Sequence, residues 1–248
     1  MPKKLEWDKI GEREFQTGVE RGVLFPQASD GQYEVGVAWN GLQSVTDKPT
    51  GAESKKIYAN NGTYLTITSN EETEFSISAY MYPDEWEECD GSKQAAQGVA
   101  VRQQTRKRFG FSYVTLLGSD TEDTDHGYII HLMYGCTASP SEKAYETKGE
   151  DTEAMSFSWD VKTTPVTIPI AGFKPSAAIE INSLKANPEQ LSAFEKILYG
   201  SNEADAKLPL PEEIFGIFTG GSAGGGAGTV SNDAAAMFNE AKDAVYNG

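Results

Sequence analysis

FGFSYVTLLGSDTEDTDHGYIIHLMYG (residues 109–135) contains two apolar runs separated by an acidic, turn-rich insert, GSDTEDTD at 118–125. Such a pattern reads as two strands joined by a hairpin loop. In a strand, successive side chains point to opposite faces. Across YIIHLMY, Tyr128, Ile130, Leu132 and Tyr134 fall on one face, and Ile129, His131 and Met133 on the other. A strand that is apolar on both faces is covered on both. The cover is a helix of the same chain or a neighbouring subunit, and the residues leave both open.

The neighbouring sequence alternates more simply. Val35, Val37 and Trp39 alternate with Glu34, Gly36 and Ala38, and Leu65 and Ile67 alternate with threonines in TYLTITS (63–69). Phe75, Ile77 and Ala79 alternate with Glu74, Ser76 and Ser78, and SNEE (69–72) is expected to join these last two runs as a hairpin. In AMSFSWDVKTTP (154–165), Met155, Phe157, Trp159 and Val161 share a face opposite Ala154, Ser156, Ser158 and Asp160, and Pro165 ends or edges the strand. Trp39, Phe75, Ile77, Phe157 and Trp159 are therefore expected in the core. Residues 83–90 (PDEWEECD) read as a short helix. A clearer helix starts at 187–190, with Asn187 as cap and Pro188 in its first turn; Leu191, Phe194, Ile197 and Leu198 form its apolar face, and Gly200 ends it. In 207–218, Pro209 and Pro211 set an extended approach to a short amphipathic turn. TGGSAGGGAGT (219–229) has the composition of a linker, and 230–248 reads as a further helix.

The chain has 248 residues and a net charge of -16, from 37 acidic and 21 basic residues. That balance argues against a nucleic-acid binder, which presents a basic patch to phosphate. No stretch reaches the roughly 18 apolar residues of a membrane span. MPKKLEWDKIGERE lacks the apolar core of a secretory signal, so a cytoplasmic chain is the expectation. Cys89 and Cys136 belong to no CxxC pair and read as reduced, ordinary small core residues. No cofactor, metal or catalytic residue is expected. DTEDTDH (120–126) gathers carboxylates and His126 but lacks the glycine and closing glutamate of a calcium loop, so a solvated hairpin tip is the better reading. His131, within an apolar strand, reads as a packed histidine. The glycine-rich 219–229 lacks the Lys-Ser/Thr of a phosphate loop. RQQTRKRFG (102–110) is the one basic run; a solvated strand edge or an ion-pairing stripe is the better reading over polyanion binding, and such a stripe also serves to meet the acidic face of a neighbour.

In order along the chain, WDKIGEREFQTGVERGVLFP, YEVGVAWNGLQSVTDKPTGAE, YPDEWEECDGS, QQTRKRFGFSYVTLLG, DHGYIIHLMYG, ASPSEKAY, FSWDVKTTPV, FEKILYG and LPLPEEI resemble the major tail protein, or tail tube protein, of bacteriophages with long non-contractile tails. The resemblance spans about residues 5–218 and departs from the family pattern beyond. It implies a mainly β subunit, an antiparallel β-sandwich or half-barrel of the phage tail tube type, with a flanking α-helix and helical C-terminal segments. The expected divisions are a tail tube domain at 1–218, the linker at 219–229 and an extension at 230–248. Within the domain lie an N-terminal arm at about 1–25, a sandwich core at about 26–181 and a helical segment at about 187–218.

The resemblance further implies a virion protein assembled in the bacterial host cytoplasm. Six copies would form a ring, and rings would stack into a tube around a tape-measure protein. A tail terminator and distal tail or baseplate proteins would be further partners, and DNA would pass through without specific binding. Ring stacking would fall to the arm and to a loop at about 41–56, with Gly41, Ser44, Asp47, Lys48, Glu53, Lys55 and Lys56 as candidates. A lumen passing DNA should be polar and mostly acidic. Its candidates are Glu72, Glu74, Ser76 and Ser78, with Thr66 and Thr68 on the expected neighbouring strand. The alternatives are a carbohydrate- or surface-binding sandwich of a virion, using Trp39, Tyr58 or Trp86 in a groove, and a hydrolase using the paired acids of EWEE or TSNEETE.

Overall fold

A computed structural model describes residues 4–145, 147 and 154–219. The central hairpin is β11 (Phe109–Ser119) and β12 (Asp123–Ala138), antiparallel with Val114 opposite Ile130 and Phe111 opposite Met133. β1 (Glu14–Pro26) pairs with the other edge of β11, β2 (Val37–Trp39) with β1, and β14 (Ala178–Asn182) with β12. At Gly135 the ladder slips by one residue, since Phe111 faces Met133 but Phe109 faces Cys136. Gly135 has φ 59°, and a Cβ there would stand 2.4 Å from the Thr164 carbonyl oxygen, so glycine is required twice over. Past this bulge Thr137 and Ala138 leave β11 and pair instead with β13 (Phe157–Lys162). β13 pairs with β8 (Glu74–Ala79), and β8 with β3 (Leu42–Asp47). The strand order is thus β2-β1-β11-β12-β13-β8-β3. Its two end strands are joined by the Asn40–Gly41 turn, with Gly41 at φ 78°, so the sheet curls into a half-barrel.

The bulge also switches parity along β12, so that even-numbered residues face one core before it and the other core after it. Before it, Ile130, Leu132 and Tyr134 face outward with Val114, Val23 and Phe25. The chain's own helices cover them: α2 (Pro188–Leu198) through Leu191, Phe194 and Leu198, and α3 (Pro211–Phe218) through Ile214 and Ile217. This answers the question raised by YIIHLMY: a helical layer of the same chain is the cover. The other core lies between the two halves of the curled sheet. Trp39, Phe75, Ile77, Trp159, Val161, Phe109, Phe111, Met133 and Cys136 fill it, with Trp86 and Cys89 of α1 (Trp86–Cys89). Trp39, Trp86 and Trp159 form its centre, with ring centroids 4.8–5.8 Å apart. Burial pushes the Cys89 thiol up to about 12 and the Cys136 thiol well up also, so both are free, protonated core residues.

The helices end as their residues require. The Asn187 side-chain oxygen accepts the Glu189 N–H at 2.9 Å, and Pro188 opens α2. Glu213 reaches back to accept the Leu210 N–H at 3.0 Å ahead of Pro211. Tyr134 donates to the Pro209 carbonyl at 2.9 Å and so fastens the extended approach onto the sheet.

Several expectations are corrected. SNEE does not join 63–69 to 74–79. β6 (Gly62–Thr68) pairs instead with β5 (Ser54–Ala59), and β4 (Thr50–Gly51) with β7 (Glu71–Glu72). Asn60 and Asn61, at φ 51° and 63°, make the two-residue turn, a conformation that asparagine tolerates and that matches strand twist. The supposed loop at 41–56 consists largely of β3, β4 and β5. β1 enters the main sheet at Glu14, so only 4–13 of the supposed arm lies outside it among the described residues. Met155 is exposed and precedes β13, and Phe157 is half-buried against the core rather than within it. The strand at 34–39 is reduced to Val37–Trp39. A small hairpin of β9 (Lys93–Ala96) and β10 (Val99–Val101) has no counterpart in the sequence reading. The linker at 219–229, apart from Thr219, and the extension at 230–248 lie outside the described residues.

Candidate assembly surfaces

Between β3 and β8 the chain makes an excursion whose body is the β5–β6 ribbon. Every residue of both strands is exposed. Ile57 faces Leu65 and Lys55 faces Ile67 on one side of it; Lys56 faces Thr66 and Ser54 faces Thr68 on the other. Tyr58 and Tyr64 are 66% and 71% exposed, and Ile67 is 53% exposed. A two-stranded ribbon is marginally stable by itself in water, and this one also leaves its apolar side chains uncovered.

The expected site residues are redistributed by this geometry. Thr66 and Thr68 do not neighbour β8; they stand on the ribbon, across from Lys56 and Ser54. Glu72 lies on β7 at the ribbon's base, opposite Thr50. Residues expected to serve two different surfaces thus share one projecting element with Glu53, Lys55 and Lys56. Glu74, Ser76 and Ser78 do share a polar side of β8, with Ser76 buried between its flanking strands, Ser158, Asp160 and Lys162 of β13 beside them and Ser44 and Thr46 of β3 on the other flank. Ser78 donates to Ser158 at 3.3 Å, and Lys162 pairs with Glu74 at 3.3 Å. Lys48 pairs with Asp160 at 2.7 Å, so it belongs to this face rather than to a reaching loop. Gly41 is the turn between β2 and β3.

Asp47 has the opposite parity. It faces Phe75 at the rim of the inner core, where desolvation raises its carboxyl pKa. Across that rim His131 accepts or donates at 2.8 Å to the Thr115 hydroxyl, lies 3.3 Å from a Glu180 oxygen, and stacks on Tyr113 with ring centroids 4.5 Å apart. This is the packed histidine expected from its apolar strand. Desolvation lowers its pKa from 6.5 despite the opposing pull of Glu180 and Asp47. The unfolded chain therefore takes up the His131 proton first as pH falls. The contribution is fully present above 6.5 and is lost as pH drops through the lower folded value. Asp47 acts in the opposite sense, contributing below its unfolded 3.8 and losing that as pH rises through its folded value. Urea unfolding at neutral pH and about one unit below 6.5 tests this. The wild type should lose stability over that interval, and His131→Gln should lose less.

At the N-terminal end, Leu5, Trp7 and Ile10 are all exposed. The segment is tethered where the Gly11 N–H donates to Asp120 at 3.0 Å and the Asp120 N–H donates to the Arg13 carbonyl at 3.1 Å. Arg13 also donates to the Asp8 carbonyl at 2.8 Å. The acidic hairpin tip thus holds backbone, and His126 pairs with Glu122 at 2.7 Å beside it. Among the described residues no group of three or more His, Cys, Asp and Glu is arranged to hold a metal ion. The aromatic groove of the alternative reading does not form. Trp39 and Trp86 are buried, the Trp39 indole N–H donates to the Met81 carbonyl at 2.9 Å, and of the three only Tyr58 is exposed.

No protein-family model and no curated protein matches this chain. Among solved structures, a chain of the PVC sheath–tube complex of an extracellular contractile injection system, in the extended state, is similar at 8% identity and a TM-score of 0.32, covering 65% of this chain and 88% of that one.

Proposed function

We propose that this chain is a structural subunit that self-assembles into stacked hexameric rings, forming the tail tube of a long non-contractile phage tail and the conduit for its genome. The observation that carries this is the β5–β6 ribbon, whose Ile57, Tyr58, Tyr64, Leu65 and Ile67 are all exposed among the described residues. A ribbon of this kind gains stability by burying those side chains against another copy. The exposed Leu5, Trp7 and Ile10 supply a second contact of the same kind. The β3–β8–β13 face, with Glu74, Ser78, Ser158 and Asp160, suits a channel wall, since its side chains are small or acidic and its two cations, Lys48 and Lys162, are already paired with Asp160 and Glu74. Thr66, Thr68 and Glu72 go with the ribbon and so with stacking. The tape-measure, terminator and distal tail partners, virion localisation and assembly in the host cytoplasm belong to this proposal. Sedimentation velocity from micromolar to submillimolar protein tests it. Species growing in steps of six copies are expected, and a monomer throughout that range would contradict the reading.

A further inference from the structure

The basic run at 102–110 is only partly neutralised by the fold. Lys107 pairs with Glu34 at 2.9 Å and with Glu88 at 3.4 Å. Arg106 and Lys143 share the nearly buried Asp90, at 3.5 Å and 2.5 Å. Lys143 is further fixed over the Tyr82 ring, 5.3 Å from its centroid. Arg102, on the far side, donates to the Tyr145 hydroxyl at 3.3 Å and forms no ion pair among the described residues. These groups surround a surface cavity of about 520 Å³, lined by Asp90, Arg102, Arg106, Ser141, Lys143 and Tyr145 among others. Its lining carries three cations against one carboxylate, on a chain whose net charge is -16. Asp90 already shows the recognition chemistry, one carboxylate held between a guanidinium and an ammonium. Immediately before Arg102 in the chain, β10 leaves Val99 and Val101 about half exposed.

We infer that this cavity receives a carboxylate-bearing segment of a second copy of this chain, with Arg102 as the anchoring cation and Val99 and Val101 as the apolar rim. The inference rests on the self-assembly proposed above and deepens it by naming a contact. Two copies of so acidic a chain repel at long range, so they associate best in an orientation that sets the concentrated positive surface of one against carboxylates of the other. A polyphosphate would meet the same cations but leave the two valines uncovered. A second protein surface would satisfy both.

The test uses the full chain and Arg102→Glu, at an exposed position where the fold is undisturbed. Association followed by sedimentation at low and high NaCl should weaken about tenfold in Arg102→Glu at low salt. The wild type should weaken with added salt, and the variant should respond less. Acetylated tetraglutamate should inhibit wild-type association and leave the variant unaffected. Association of Arg102→Glu at wild-type strength overturns this inference alone. So does an oligothymidylate of equal charge that binds through Arg102 more tightly than tetraglutamate. A wild-type chain that stays monomeric removes the tube and the partner named here together.

Discussion

Trp159→Ala is expected to lower the free energy of unfolding by about 3–5 kcal/mol, the range for deleting a fully buried large aromatic. Trp159 is wholly buried at the centre of the inner core. Its ring lies 5.3 Å from Trp86, 5.8 Å from Trp39 and 5.5 Å from Tyr82, so truncation opens a cavity that three rigid rings cannot close. The indole N–H has no partner among the described residues, so the cost is one of packing and not of a broken hydrogen bond. Trp159→Phe should recover a large part of the loss. Met155→Ala, outside the strand and exposed, should stay within about 0.5 kcal/mol of wild type. Urea unfolding reads all three as shifts in midpoint at constant slope. A loss below about 1 kcal/mol for Trp159→Ala would contradict the placement of this residue.

The second large effect concerns association rather than stability. Removing residues 55–67 and closing Ser54 to Thr68 with Asn-Gly should leave the main sheet intact, because Ser54 and Thr68 already face each other across the ribbon. The near-ultraviolet circular dichroism of the tryptophan cluster should be unchanged. Self-association should weaken by at least about 100-fold, or about 2.7 kcal/mol. Leu65→Lys, which places a charge on the ribbon's apolar side, should act in the same direction with a smaller effect. Unchanged association in the shortened chain would separate the ribbon from assembly.

Much of the architecture is legible in local pattern, and the failures are specific. The hairpin at 109–135, the alternation of Phe75 and Ile77, and the Asn187–Pro188 helix start all follow from short-range rules, and all are observed. SNEE has the composition of a turn, but the stronger signal for the hairpin partner of 62–68 is Asn60-Asn61-Gly62 at the other end of the strand. The parity switch at Gly135 is invisible to alternation, since it depends on how close Thr164 comes, a contact set by distant chain. Met155 continued the parity of Trp159 and so looked buried, but strand pairing with β8 starts only at Phe157. For the candidate surfaces, parity correctly grouped Glu74, Ser76 and Ser78. Parity does not say which strand lies beside them, and long-range pairing sets Ser158 and Asp160 there rather than Thr66 and Thr68. Arg102 was visible as part of a basic run, but which of its cations the fold neutralises depended on Asp90, Glu34 and Glu88 from elsewhere in the chain.

Electron microscopy of the concentrated wild-type protein in negative stain tests the central claim most directly. The account predicts rings of sixfold symmetry, or tubes of uniform width with a stain-filled central channel. Single particles of monomer size at every concentration, or irregular aggregates without a channel, would contradict it.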